Sequence, residues 1–252
     1  MRLKIIFEAK SDLLLPIHYN HIIQKVIYNL LDEKYASFLH NEGFSFGGKR
    51  FQLFTFSRLV IESKDVYKEA IRIKPGKVYL TISSIDERFI FSIIDGLLKE
   101  KVINLQEGKL YLQNIFARKN LVAKKFVGLT ISPVVVAKGN TSKPIEFYTP
   151  GERKFLEVIE NNLKFKYASY YGEEYSGKLS VKFLDETNIK RVVAKYKKWP
   201  YEGYLGGFII EGNDKIVDVA YSCGIGNKNA QGFGCLELIS NINKFDNYLK
   251  II

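Results

Sequence analysis

The order of the predicted strands and helices most constrains what this chain can fold into, because one order occurs twice. The first half begins with a strand at Leu3–Phe7 and closes with a strand or hairpin at Leu110–Phe116. Between them the pattern predicts two amphipathic helices, whose apolar pairs recur every fourth residue, and a group of β-type segments. Ser84 to Glu87 reads as the capping box of the second helix. The first half therefore reads βαββαβ, with one extra short helix near Lys34–His40.

The second half shows the same order of elements without repeating the residues. A strand run at Phe126–Ala137 precedes a helix with Thr149 as N-cap, Pro150 at the first position and Glu152 at the third. Three strands, a short helix from Asp214 and a last strand complete the second βαββαβ. This is the ferredoxin-like plan. We predict an α+β fold of two tandem ferredoxin-like domains, residues 1–122 and 123–252.

The charge and the aromatic content favour a polyanionic partner. Among 252 residues, 38 Lys and Arg stand against 27 Asp and Glu, a net charge of +11, and 16 Tyr and 18 Phe offer rings for base stacking. This combination fits nucleic acid better than a membrane surface. No apolar run approaches the roughly 18 residues of a membrane span, and the N-terminus lacks a signal-peptide core. We expect a cytoplasmic protein.

Nothing in the sequence points to a metal or a cofactor. The chain has three His and two Cys, no Cys-x-x-Cys pair and no cluster of carboxylates, so a metal site is not expected. The spacing of Cys223 and Cys235 permits a disulfide. Because no feature suggests an oxidising compartment, we predict two small buried thiols instead.

A glycine-rich loop at residues 224–235 is the most informative motif. Glycine at this density lets backbone amides turn outward and lets a phosphate-rich ligand approach the main chain. The predicted order is helix, loop, strand, whereas dinucleotide and P-loop sites need strand, loop, helix, which argues against a nucleotide cofactor. A purely structural turn is the alternative reading. The residues of interest are Gly224, Gly226, Lys228, Asn229, Gly232 and Gly234.

A second group of residues suits phosphodiester chemistry. Tyr28 lies beside the apolar stripe of the first helix, His40 ends the short helix, and Lys49 and Arg50 follow the Gly47-Gly48 turn. An imidazole can exchange a proton near neutral pH, and a cation can stabilise charge that grows on a phosphate oxygen. Each residue also has an ordinary reading, as a solvated histidine, a packed tyrosine or a hairpin turn.

Taken in their order along the chain, these motifs resemble one family. Residues 16–29, 38–40 with 53–57, 129–136 and the two glycine–hydrophobic–glycine repeats at 224–234 are similar to segments of the CRISPR-associated endoribonucleases. These proteins cut long repeat transcripts into guide RNAs and belong to the repeat-associated mysterious protein superfamily. The resemblance spans nearly the whole chain, and the glycine motif is its most specific part.

The resemblance implies a metal-independent reaction without a cofactor on CRISPR repeat RNA. A ribose 2′-OH would attack the neighbouring phosphorus and leave a 2′,3′-cyclic phosphate and a 5′-OH. His40 would be the general acid or base and Tyr28 an orienting or protonating group. Lys49 or Arg50 would stabilise the transition state, and we favour Lys49. The alternatives are a catalytically silent subunit that holds guide RNA in an effector complex, and a general single-strand RNA-binding protein.

The resemblance also gives the glycine-rich loop an RNA-binding role, with the RNA lying across a cleft between the domains. A basic stretch at residues 190–199 suits a hairpin edge that follows phosphates, although a solvated strand face is the alternative. Its expected RNA contacts, with Arg50, are Lys190, Arg191, Lys195, Lys197 and Lys198. His18 and His21 are expected to cap or pack. Other CRISPR-associated effector subunits are candidate partners, and the chain is expected to be a monomer or a homodimer.

Overall fold

The computed structural model describes residues 1–139, 146–196 and 199–239. The helices in these ranges are α1 (Asn20–Leu30), α2 (Glu33–Asn41), α3 (Glu87–Glu100), α4 (Arg153–Tyr171) and α5 (Asp214–Cys223). The strands are β1 (Arg2–Ala9), β2 (Leu13–Pro16), β3 (Phe44–Phe46), β4 (Lys49–Phe51), β5 (Phe54–Phe56), β6 (Val60–Ile61), β7 (Lys64–Val66), β8 (Ala70–Ile73), β9 (Gly76–Ser84), β10 (Val102–Leu105), β11 (Gly108–Arg118), β12 (Lys125–Thr130), β13 (Ser180–Phe183), β14 (Lys190–Tyr196), β15 (Trp199–Leu205), β16 (Gly207–Glu211) and β17 (Leu236–Leu238).

The first half folds around an antiparallel sheet in the order β10-β11-β1-β9-β5. Without the hairpin strand β10, this is the ferredoxin-like order, in which the first and third strands of the motif are central. Alternation along β1 buries Leu3, Ile5 and Phe7. These side chains share one core with the apolar faces of α1 and α3, so the two helices cover the same sheet.

The second half has the corresponding sheet, in the order β13-β16-β12-β17, with α4 and α5 in its core. The tandem ferredoxin-like prediction is therefore confirmed. The three strands predicted after α4 are corrected in one respect, because β14 pairs with β15 in a separate hairpin rather than in the sheet. The boundary at 122/123 falls between β11 and β12 and stays a prediction.

The two predicted N-caps, Ser84 and Thr149, were wrong. The N-cap of α3 is Asp86, whose carboxylate accepts from the Arg88 amide at 3.1 Å. Ser84 ends β9; its hydroxyl donates to the carbonyl of Leu53 at 2.8 Å and accepts from the amide of Asp86 at 3.1 Å, which precedes the first turn of α3. Helix α4 begins after Glu152, not at Pro150. The carboxylate of Glu152 folds back to accept from the Thr149 amide at 2.8 Å.

The two halves are joined by buried polar contacts as well as by packing. The Arg2 guanidinium donates to the carbonyls of Leu236 at 2.5 Å and Tyr221 at 2.8 Å, and it lies 3.8 Å from the Tyr221 ring centroid. Cys223 and Cys235 are free and buried, as predicted. Across the described ranges, none of the helices has both the length and the apolar character needed to cross a bilayer.

Candidate active site

A cleft of about 760 Å³ is lined by residues from both halves of the chain. One side, here called the N-terminal wall, consists of Tyr28, His40 and Arg50. The opposite side, the loop wall, consists of Gly226, Lys228, Asn229 and Lys166. The structure thus brings the histidine from the short helix and the glycine-rich loop to one cavity, although some 190 residues separate them in sequence.

His40 lies in the last turn of α2 and is exposed. Helix α2 is fixed at its start by Asp32, whose carboxylate accepts from the Tyr35 amide at 2.9 Å. The His40 Nδ1 lies 3.0 Å from the Asn41 side-chain oxygen. The Asn41 nitrogen donates to the Ser37 hydroxyl at 3.1 Å. In the neutral tautomer that carries its proton on Nδ1, the ring donates to Asn41 and Nε2 is the proton acceptor.

The two candidate cations, Lys49 and Arg50, sit on β4 of a short hairpin. Gly47 and Gly48 form its two-residue turn, with φ values of 55° and 75° as a type I′ turn requires. Successive side chains on a strand point to opposite faces. Arg50 accordingly lines the cleft, and its guanidinium donates to the Asn41 carbonyl at 2.5 Å. The Lys49 ammonium instead lies 3.6 Å from the ring centroid of Phe165, outside the cleft lining.

Tyr28 is half-buried on α1 and packs edge-on against Phe54, with 6.1 Å between ring centroids. Burial, and to a lesser extent the neighbouring Tyr196, raises the pKa of Tyr28 to about 12, although nearby Arg50 acts in the opposite direction. The phenol therefore keeps its proton at neutral pH. It is suited to donate a hydrogen bond or a proton, not to act as a base.

The four glycines of the loop are needed for packing within the protein. All four have φ between 69° and 82°, and a Cβ at any of them would meet protein atoms. At Gly234 it would lie 1.9 Å from the Ile225 carbonyl oxygen, at Gly226 2.5 Å from the Val135 carbonyl oxygen, and at Gly232 2.4 Å from the Phe56 ring. The absence of a Cβ at these glycines thus serves mainly to let the loop pack closely against other parts of the protein.

Part of the loop nevertheless faces the cleft. Gly226, Lys228 and Asn229 line it, although Gly226 and Asn229 are themselves buried, and Gly224, Gly232 and Gly234 are buried away from it. Lys228 is exposed, has φ 62°, and places its ammonium 5.9 Å from the Tyr201 ring centroid. Within the described part of the chain, the backbone amides of Gly226 and Lys228 have no acceptor. They are two of the cleft-lining loop donors available to a ligand.

The loop is held from both halves. Lys166, buried on α4, donates to the carbonyls of Gly224 at 2.7 Å and Gly226 at 3.3 Å. From the first half, Asn20 donates to the Gln231 carbonyl at 2.9 Å and Gln24 to the Ala230 carbonyl at 2.8 Å. Asn20, Gln24 and Tyr28 are spaced four residues apart, so they share one face of α1. The same face of α1 therefore hydrogen-bonds to the loop and places Tyr28 at the cleft.

The basic hairpin β14–β15 lies at the edge of this site. Lys190, Arg191 and Lys195 are exposed, but the Arg191 guanidinium pairs with Glu202 at 2.6 Å. Tyr196 lines the cleft and donates to Gln24, while Lys195 lines a second groove of about 650 Å³. His18 Nδ1 accepts from the Lys195 amide at 3.2 Å. The predicted contacts Lys197 and Lys198 lie outside the described residues.

Sequence reasoning missed Asn41, Asn20, Gln24 and Lys166. Lys166 had a signal, because it continues the stripe of Phe155, Ile159 and Leu163, which places a lysine on a buried helix face. Asn20 and Gln24 had a weaker signal in the sequence, because they precede Tyr28 at four-residue intervals. Asn41 follows His40 directly, but its contact with Arg50 depends on the position of the β3–β4 hairpin.

Two family models together match nearly the whole chain. Residues 14–116 match the family described as "CRISPR-associated protein Cas6, N-terminal", and residues 118–238 match "CRISPR associated protein Cas6, C-terminal". The chain belongs to the Cas6 family. The junction between the two matched regions lies between the halves that form the cleft.

Relatives of the Cas6 family match along nearly the whole chain. A CRISPR-associated endoribonuclease Cas6 of Methanocaldococcus jannaschii is 30% identical over 99% of this chain and 97% of its own. The CRISPR-associated endoribonuclease Cas6 of Pyrococcus furiosus is 28% identical over 90% of this chain and 84% of its own. A solved structure named CRISPR associated protein Cas6 is 27% identical, with a TM-score of 0.77 over 95% of this chain and 99% of that chain.

Proposed function

We propose that this chain is an endoribonuclease that cuts CRISPR repeat RNA without a metal ion. In the proposed reaction the 2′-oxygen bonds to the adjacent phosphorus, the bond from phosphorus to the 5′-oxygen breaks, and the products carry a 2′,3′-cyclic phosphate and a 5′-OH. The 2′-OH loses one proton and the leaving 5′-oxygen gains one. The reaction therefore needs an acceptor, a donor and charge stabilisation, and no oxidant or reductant.

The observation that carries this proposal is the convergence of three chemically suitable groups on one cleft. His40 offers Nε2 as the proton acceptor for the 2′-OH, since its Nδ1 is engaged with Asn41. Tyr28, whose pKa is raised, is the candidate proton donor for the 5′-oxygen. Arg50 supplies a permanent positive charge at the same wall. General acid–base groups of this kind contribute roughly 10²–10⁴-fold to a rate.

The RNA path follows from charge and exposure. The loop wall offers the Gly226 and Lys228 amides and the Lys228 ammonium to the phosphate backbone. The β14–β15 hairpin extends the positive surface through Lys190 and Lys195, both exposed. Arg191 contributes less, because its charge is neutralised by Glu202. The side chain of Asn229 is turned inward, so its part in RNA binding is to shape the loop.

The experiment that tests the proposal is incubation of the protein with end-labelled CRISPR repeat RNA in EDTA, with mapping of both product ends. We expect a single cut, a 2′,3′-cyclic phosphate on the upstream fragment and a 5′-OH on the downstream fragment. Treatment with acid or with a cyclic-phosphate-opening phosphatase should change the mobility of the upstream fragment only.

Other outcomes would separate the alternatives. Intact RNA bound tightly would identify a catalytically silent guide-RNA-binding subunit and overturn the cleavage proposal. Cleavage that EDTA abolishes would overturn the metal-independent chemistry. Equal binding to unrelated single strands, with no cut, would favour a general RNA-binding protein.

A further inference from the structure

Lys166 is a buried cation that the proposed reaction does not use directly. It lies on α4 with a relative exposure of 2%, and its ammonium reaches the inner side of the glycine-rich loop. There it donates to the Gly224 carbonyl at 2.7 Å, the Gly226 carbonyl at 3.3 Å and the Asn229 side-chain oxygen at 2.7 Å. A protonated lysine has three N–H donors, so none is left for RNA. Lys166 can affect RNA only through the loop.

Asn229 carries this contact to the backbone of the loop. Its oxygen accepts from Lys166, and its nitrogen donates to the carbonyls of Ile225 at 2.9 Å and Phe233 at 3.0 Å. Both donors and the acceptor of the amide are therefore engaged, which fixes its orientation. The Asn229 side chain therefore links Ile225, near the start of the loop, to Phe233, near its end, and accepts a hydrogen bond from the Lys166 ammonium.

The direction of one backbone donor follows from this arrangement. In a trans peptide the carbonyl and the next N–H point to opposite sides. Because Asn229 holds the Ile225 carbonyl inward, the Gly226 N–H points away from the buried pair. That N–H has no acceptor in the described residues, and Gly226, although buried as a residue, lines the cleft. A backbone N–H held in this way is a ready donor to a phosphate oxygen.

We infer that Lys166, acting through Asn229, is the positioning residue that aims the Gly226 amide at the phosphate backbone of the bound RNA. The inference rests on the proposed function for the identity of the ligand, RNA. The orientation of the Gly226 amide does not depend on that identity. Lys166 touches neither the RNA nor the reacting atoms. Its loss should slow cleavage of bound RNA more than it weakens RNA binding, since Lys228 and the β14–β15 hairpin remain.

The geometry around Lys166 agrees with a role that depends on its charge. Burial lowers the pKa of Lys166 to about 7, against a small opposite effect of the Cys223 side chain. Three oxygen acceptors within 3.3 Å are the groups that favour the ammonium form. A neutral replacement of similar length should therefore fill the space and leave three buried oxygens without their donor.

The experiment compares wild type, Lys166→Met and the control Lys164→Met, which makes the same change at a half-buried lysine of the same helix. Single-turnover cleavage of CRISPR repeat RNA is measured at saturating protein, and a stoichiometric titration gives the fraction of protein that binds RNA. Hydrogen exchange of residues 224–235 is measured without RNA. For Lys166→Met we expect a rate lowered about 10- to 100-fold, an unchanged binding fraction, and faster exchange confined to the loop.

The outcomes separate a positioning role from a merely structural one. Lower stability alone would reduce the binding fraction and leave the rate of the bound, folded protein near that of wild type, which would overturn the inference. So would loop exchange equal to wild type. If wild type itself does not cut RNA, the proposed function fails, while the exchange measurement still decides whether Lys166 holds the loop.

A second variant covers the case in which Lys166→Met does not fold. Asn229→Asp keeps an oxygen for Lys166 and adds an ion pair, but it removes the two donors to Ile225 and Phe233. We expect it to fold and to show the same slower cleavage and faster loop exchange. Cleavage within about 3-fold of wild type would overturn the inference.

Discussion

The two sides of the cleft are built in opposite ways. On the N-terminal wall, His40 and Arg50 are exposed, and each is steadied by a contact to Asn41. On the loop wall, Lys166 and Asn229 are buried and use every donor they have. The first wall carries groups that can gain or lose a proton or shift toward a ligand. The second carries backbone that is already fixed.

This difference follows from what each wall would have to do. A proton-transfer group needs access to the substrate and to water, so exposure is no disadvantage. Backbone donors that stabilise charge are effective when they need no rearrangement at the moment of reaction. The contrast predicts that changes on the N-terminal wall alter the rate with little effect on the structure, whereas changes on the loop wall alter the rate and also disturb the loop itself.

The largest effect should come from His40→Ala. Removing the proposed proton acceptor should lower the single-turnover cleavage rate by about 10²–10⁴-fold, with little change in RNA affinity or in thermal stability, because the side chain is exposed. Single-turnover kinetics, filter binding and thermal melts on the same preparation check this. Cleavage at the wild-type rate would remove His40 from the mechanism. A large loss of stability would contradict the contrast between the walls.

A smaller effect separates the two neighbouring cations. Arg50→Ala should lower the cleavage rate by about 10²-fold, the size seen when one electrostatic stabiliser is removed from a site. Lys49→Ala should stay within about 3-fold, because the Lys49 ammonium lies over the Phe165 ring and not in the cleft. The two variants differ by one position on one strand and serve as mutual controls. The reverse ranking would return the stabilising role to Lys49, as the sequence alone suggested.

The fold was predictable because its signal is periodic and local. Apolar pairs at helical spacing located α1 and α3, and the repeated element order gave two ferredoxin-like halves. The exact helix starts were not predictable, since Ser84 and Asp86 both suit a cap and the choice depends on the pairing of Ser84 with Phe54 of β5, which is distant in sequence. The β14–β15 hairpin was not separated from the sheet, because a strand pattern does not show its partner.

The sequence singled out residue types for the candidate site but not its geometry. His40, Tyr28 and the loop could be singled out in the sequence, but only tertiary structure brings them to one cleft. Lys49 and Arg50 could not be ranked, since their difference depends on which face of the hairpin meets the cleft. The glycines suggested room for a ligand, whereas most of that room is filled by Phe56, Val135 and the loop itself.

The last and smallest effect compares two glycines, one near each wall, that both have positive φ. Gly234→Ala would place a Cβ 1.9 Å from the backbone oxygen of Ile225, whereas Gly48→Ala, in the β3–β4 turn, would meet no atom within 4 Å. Both variants incur the left-handed backbone cost of about 1–2 kcal/mol. Only Gly234→Ala adds an overpacking cost of about 1–3 kcal/mol, because a backbone oxygen cannot move aside as a flexible side chain can. Urea denaturation should therefore show a greater loss of unfolding free energy for Gly234→Ala than for Gly48→Ala. Equal losses would mean that the structure around the loop wall relaxes around an added methyl group as easily as the N-terminal wall does.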